Sequence, residues 1–263
     1  MSTGAGAPPA LSPAAIAAER RRGRIAGLAG LAALGCAIGA IVVDGRATRD
    51  ARGASELARQ LRSLDADYAA HQLALGTRIA GLALTAWFGL FLARATADRV
   101  RHAPGALKVL AVAAPACVAV ALAGGLVALH GVAGRFAAAG GDSAQLAESL
   151  TRQDTPMRAV VVGELASRVV FGVWVSFTCI WAMRMGLLPR FLAVWGIGAG
   201  LAGVLLPVGD ALFLSWLGSA AILVLGFWPD GRPPAWDAGR AVPWSEVDAE
   251  RVREWRPRAS GGG

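Results

Sequence analysis

The chain has 263 residues, 55% of them hydrophobic and 17% charged, with a net charge of +8 and a mean hydropathy of +0.50. A soluble globular domain of this size rarely reaches that balance, whereas a bilayer is a natural solvent for it. The positive charge does not point to nucleic acid, because the arginines flank apolar runs as cytoplasmic anchors do, and no nucleic-acid partner is expected.

In chain order, residues Met1 to Ala18 carry no charge and precede Glu19 and the cluster Arg20, Arg21, Arg22 and Arg24. Segment 1–24 is expected to be a disordered cytoplasmic lead-in. At about 1.5 Å per residue, some twenty apolar residues cross a hydrocarbon core. Runs near that length predict six spans: Ile25 to Val43, Gly76 to Ala93, Ala106 to Leu129, Ala159 to Met183, Phe191 to Leu206, and Ala211 to Trp228. The first exceeds the apolar core of about 7–15 residues in a cleaved leader, so it is read as a retained helix.

Between the first two spans, Leu57, Leu61, Leu64 and Tyr68 recur at helical spacing behind Ser55, an N-cap type. That predicts an amphipathic helix at the interface, and Ser143 to Thr151 repeats the pattern more weakly. Pro115 falls inside the third span and is expected to kink it. Pro207-Val208-Gly209-Asp210 makes an antiparallel hairpin of the last two spans. The pairs Gly23/Gly27, Gly35/Gly39 and Gly196/Gly200 permit close helix contact in a packed bundle and are compatible with a homo-oligomer.

Basic residues set the orientation. Arg20 to Arg24, then Arg94, Arg99, Arg101 and Lys108, then Arg184 and Arg190 share one side, which the positive-inside rule makes cytoplasmic together with both termini. The opposite loop carries Arg46, Arg49, Arg52, Arg59 and Arg62, diluted by Asp44, Asp50, Glu56, Asp65 and Asp67. Segment 229–263 is expected to be a disordered cytoplasmic tail, rich in Pro, Trp and Arg, with a short helix over Ser245 to Trp255. Its tryptophans and arginines suit the bilayer interface, and it is a candidate for binding a cytoplasmic protein.

Glu164 and Arg168 lie four apart on one face of the fourth span, toward the outer side. An ionisable residue within a span is a candidate ligand or proton site, and an ion pair satisfying itself at a helix end is the competing reading. With Arg78, His130 and Asp210 on the same side, these residues are candidates to line one external cavity, with His130 and Glu164 as a proton-responsive pair if they meet. Asp44-Gly45-Arg46-Ala47 resembles the start of the metal site of membrane alcohol phosphotransferases, but the downstream aspartates are missing. No G-x-S-x-G, H-E-x-x-H or phosphate loop occurs, and Cys36, Cys117 and Cys179 lack metal or disulfide spacing. Neither a catalytic centre, a metal nor a cofactor is expected.

Arg24-Ile25-Ala26-Gly27, Arg78-Ile79-Ala80-Gly81, the stretch Met185 to Leu192 (MGLLPRFL), and Gly226 to Trp236 (GFWPDGRPPAW) followed by Pro243-Trp244 carry a resemblance. The chain resembles a family of small bacterial multi-pass membrane proteins classified as a domain of unknown function, most specifically between Phe171 and Trp244. The Arg-, Ala- and Gly-rich composition, with Lys108 the one lysine, fits a bacterial genome of high GC content. The resemblance implies an integral membrane protein and carries over no site residues. The leading expectation is an all-α transmembrane bundle that binds, senses or scaffolds without catalysis; the alternative is a small transporter or permease component.

Overall fold

A computed structural model describes residues 10–49, 55–100, 104–141, 143–206, 208–229, 231–245 and 247. Their regular elements are all helices: α1 (Pro13–Arg49), α2 (Glu56–Ala66), α3 (Tyr68–Ala97), α4 (Ala106–Ala138), α5 (Ala144–Gln153), α6 (Thr155–Arg184), α7 (Arg190–Leu205), α8 (Gly209–Leu225) and α9 (Pro234–Ala238). Four of them, α1, α3, α4 and α6, are long and apolar enough to cross a membrane, while α7 and α8 are apolar but shorter, at 16 and 17 residues.

Local chemistry fixes the helix starts. Ser55 accepts the N–H of Ala58, Asp67 that of Ala70, Ser143 that of Leu146 and Asp154 that of Met157, each answering a donor that the first turn leaves without a partner. Asp67 serves twice, ending α2 and starting α3. α4 continues through Pro115.

The apolar helices form a closed ring: α1 packs on α3, α3 on α4, α4 on α6, α6 on α7, α7 on α8, and α8 returns to α1. Phe88, Trp174, Trp216, Val175, Cys179 and Leu217 fill the interior. The Trp174 ring needs a notch, which Gly89 provides: a Cβ there would lie 2.4 Å from it. α6 and α7 touch backbone to backbone, since a Cβ on Gly172 would fall 2.6 Å from the Gly200 carbonyl oxygen. Of the three glycine pairs read from spacing, Gly23/Gly27 and Gly196/Gly200 mediate internal contacts, whereas Gly35 faces open space.

The two ends of the ring are built differently. At one end, α2 and α5 lie against the last turns of α4, and Ala58, Leu61, Leu64, Val132, Ala133, Phe136 and Ala147 make a small second core. The amphipathic patterns behind Ser55 and Ser143 therefore face protein, not only an interface. At the other end sits the C-terminal segment. Trp236 donates its indole N–H to the Leu187 carbonyl at 2.9 Å, Trp244 donates to Leu188 at 2.9 Å, and Trp236 is 3% exposed.

Two expectations of disorder are thereby corrected where the chain is described. Helix α1 starts at Pro13, well before Ile25, and its Glu19 and Arg20 find partners in Arg99, just beyond α3, and Asp237 of α9. Residues 231–245 are folded against the bundle, since their prolines start a short helix and their indoles cap open carbonyls. The helix expected over Ser245 to Trp255 lies largely outside the described residues.

Candidate functional site

The end that carries α2 and α5 holds a polar cluster whose partners come from three helices. Asp44, near the end of α1, is the hub. Its Oδ1 lies 2.8 Å from His71 Nδ1, and its Oδ2 lies 3.4 Å from the Arg78 guanidinium, both residues belonging to α3. The other ring nitrogen of His71, Nε2, is 3.1 Å from Ser63 Oγ on α2. Three helices thus meet through one histidine, which is 6% exposed.

The order Asp44, His71, Ser63 has the connectivity of an acid, base and nucleophile relay. Its surroundings do not equip it for acyl transfer. Ser63 is 1% exposed, its hydroxyl lies 2.9 Å from the Gln60 carbonyl, and it sits inside α2, where the backbone N–H groups that could hold an oxyanion are engaged in the helix. Among the described residues, no group of three or more His, Cys, Asp or Glu side chains is arranged to hold a metal.

The five residues read from sequence divide among separate places. Glu164 and Arg168 do pair, with Oε1 2.8 Å from Nη2, and Arg168 also donates to the Gly203 carbonyl of α7 at 3.2 Å. Arg78 joins Asp44 instead. His130 stacks on Tyr68 with ring centroids 3.8 Å apart, so its partner is an aromatic face and not Glu164. Asp210 stands exposed in the first turn of α8, where a carboxylate favours the helix dipole. A lateral groove between α4 and α6, lined by Val120, Ala123, Gly124, Val127, Ala128, Pro156 and Val160, contains none of the five.

Sequence reasoning passed over Asp44 as the start of an incomplete metal motif and gave His71 no role. They are 27 residues apart, with α2 between them, and no spacing rule joins them. The signal that existed was the capped amphipathic pattern of α2, which put Ser63 on a helix between two spans.

The same end carries one carboxyl with a shifted pKa. Asp154 caps α6 and faces Arg135 of α4; the Arg135 hydrogen bond first, then the Met157 N–H, hold its pKa below the ordinary carboxylate value, against the opposing effect of burial. A depressed pKa contributes stability that is present at neutral pH and is lost as pH falls through the folded value. Asp154→Ala is therefore expected to lower stability at neutral pH by about 0.5–2 kcal/mol through the lost cap. In thermal unfolding of purified protein, the gap to the unsubstituted chain should shrink once pH drops below about 3.9.

The chain matches no family model, no curated protein and no solved structure.

Proposed function

We propose that the chain is a non-enzymatic sensing or scaffolding protein of a bacterial cytoplasmic membrane, crossing it six times through α1, α3, α4, α6 and the α7–α8 hairpin, with both termini cytoplasmic. It keeps the family resemblance that the MGLLPRFL and GFWPDGRPPAW stretches suggest. The observation that carries this reading is the filled centre of the ring: Phe88, Trp174 and Trp216 occupy the volume a transport path would need, each 2% exposed or less. A stimulus would be read at the Asp44 junction on the outer side, and the packed C-terminal segment on the inner side is the surface from which a cytoplasmic partner would be engaged. Closed packing of six apolar helices supports the six crossings, because α7 and α8 lie in the ring alongside the longer helices. Their 16 and 17 residues reach about 24–26 Å at 1.5 Å per residue, enough for a locally thinned bilayer.

A transporter is the second reading, and one observation favours it. Trp174 Nε1, Ser176 Oγ and Thr178 Oγ1 are buried on α6 with no hydrogen-bond partner, which is where water or a polar solute would be expected. Thr178→Cys, in a chain whose three native cysteines are replaced by alanine, separates the two. With a membrane-impermeant thiol reagent on right-side-out and inverted vesicles, a sealed bundle leaves position 178 unlabelled from both sides. Rapid labelling from either side would replace the sensor by the transporter. In the same background Glu56→Cys is expected to label on intact cells and Asp237→Cys only after permeabilisation; the reverse would invert the orientation.

A further inference from the structure

We propose that the stimulus read at the Asp44 junction is the proton: charged His71 fastens α2 to α1 and α3, and neutral His71 lets it go. The inference rests on the sealed-sensor reading and names its ligand. Histidine is the side chain whose charge ordinarily changes between about pH 5 and 8.

The argument is a count of hydrogens. Asp44 Oδ1, a carboxylate oxygen that only accepts, is 2.8 Å from Nδ1, so the proton of Nδ1 belongs there. Ser63 Oγ has one hydrogen and two neighbours that can take it: the Gln60 carbonyl at 2.9 Å and His71 Nε2 at 3.1 Å. When His71 is charged, Nε2–H donates to Ser63, Ser63 donates to Gln60, and every donor is used. When His71 is neutral, Nε2 carries no hydrogen, so Ser63 must turn away from Gln60 to meet it, and the attraction between imidazolium and Asp44 is lost. The α2 link then keeps its one hydrogen bond only by giving up the Ser63–Gln60 bond inside α2, and it is without charge assistance.

The charged and titratable neighbours are few. α1 contributes Asp44. α3 contributes Arg78, held to the second oxygen of Asp44, and Tyr68, one turn before the ring and stacked on His130 of α4. On α2, Arg62 turns to the Gly141 carbonyl and Arg59 pairs with Glu56. The cation nearest the network, Arg78, opposes a second positive charge, but it does so through the carboxylate that separates it from the ring. What the latch controls is the second core, because Ala58, Leu61 and Leu64 of α2 cover Val132, Ala133 and Phe136 of α4.

The test is Ala58→Cys in the cysteine-free background, chosen because Ala58 is fully buried and the change is small. Its thiol-labelling rate is divided by that of exposed Glu56→Cys at each pH, which cancels the reagent's own pH dependence. The ratio is expected to rise about tenfold between about pH 5.5 and about pH 8, the window across which a histidine ordinarily loses its charge. Adding His71→Gln, which keeps a donor and an acceptor but does not titrate, should flatten the ratio, as should Asp44→Asn. A flat or falling ratio with His71 intact overturns the proposal. Hydrogen exchange of α2 amides relative to α5 amides, in the unsubstituted chain, gives the same answer without a variant. Position 178 reports separately: if it stays unlabelled while the α2 ratio is flat, the sealed bundle stands and the proton latch falls.

Discussion

Arg99→Met is expected to lower the unfolding free energy by about 3–5 kcal/mol, the usual cost of removing one partner from a buried ion pair. The guanidinium of Arg99 is fully enclosed at the end of α3, and each of its five N–H bonds has an acceptor. Nη1 and Nη2 reach the two Glu19 oxygens at 2.7 and 2.9 Å, Nη1 also reaches the Ala95 carbonyl, and Nε and Nη2 both reach the Ala235 carbonyl. One side chain thereby ties the start of α1, the end of α3 and α9 together, with its plane over Trp236. Arg99→Lys should recover only part of the loss, because a single ammonium cannot reproduce the planar fork. The double variant Arg99→Met with Glu19→Met should be less destabilised than Arg99→Met alone, since no carboxylate is left buried without a partner. The neighbouring pair Arg20 and Asp237 has both side chains 57% exposed and is worth about 0–1 kcal/mol. Unfolding in mixed micelles measures all four variants, and a loss for Arg99→Met no larger than for Asp237→Asn would mean that the clasp does not hold the tail.

The helices and the residues that tie them together were unequally visible in the sequence. Apolar runs and cap residues place α1, α3, α4, α6 and the shorter hairpin, because hydropathy and capping are local properties. Ser55 and Ser143 were legible for the same reason. Arg99 was counted with Arg94 and Arg101 as one more anchor, and nothing in its neighbourhood distinguishes a guanidinium facing lipid headgroups from one enclosed by a tail 136 residues away. Proline density argued for a disordered tail, yet Pro233 and Pro234 set the backbone at the start of α9, and Trp236 and Trp244 are held by long-range bonds that composition cannot register. Two stretches far apart in sequence, 185–192 and 231–244, touch each other at Leu187 and Leu188. The Glu164 and Arg168 pair was found because its partners are four residues apart. The Asp44, His71 and Ser63 junction was missed because its partners come from three helices.

Gly186→Ala is expected to detach the C-terminal segment. Gly186 ends α6 with φ of +74°, and its turn has the paired bonds of a glycine stop: Leu187 N–H to the Ala182 carbonyl at 2.8 Å and Gly186 N–H to Met183 at 3.0 Å. A residue with a side chain in that conformation costs about 1–2 kcal/mol. The larger obstacle is space, because a Cβ on Gly186 would lie 2.1 Å from the Val242 carbonyl oxygen, and a backbone atom cannot yield as a side-chain tip can. Val242 N–H is itself bonded to the Met185 carbonyl at 3.3 Å, between the indole bonds of Trp236 and Trp244, so displacing Val242 pulls at both. Two comparisons separate strain from displacement. Gly186→Asn tolerates the left-handed backbone better but meets the same carbonyl, so it should release the tail as alanine does. Gly226→Ala has a φ of +90° and only the Arg232 Nε at 3.5 Å, so it should lose stability without freeing the tail. Trypsin cleavage between Arg240 and Ala241 reads the outcome: fast for both Gly186 variants and slow for Gly226→Ala if the α6–α7 turn is the seat of the tail, and equally fast in all three if backbone strain alone is responsible.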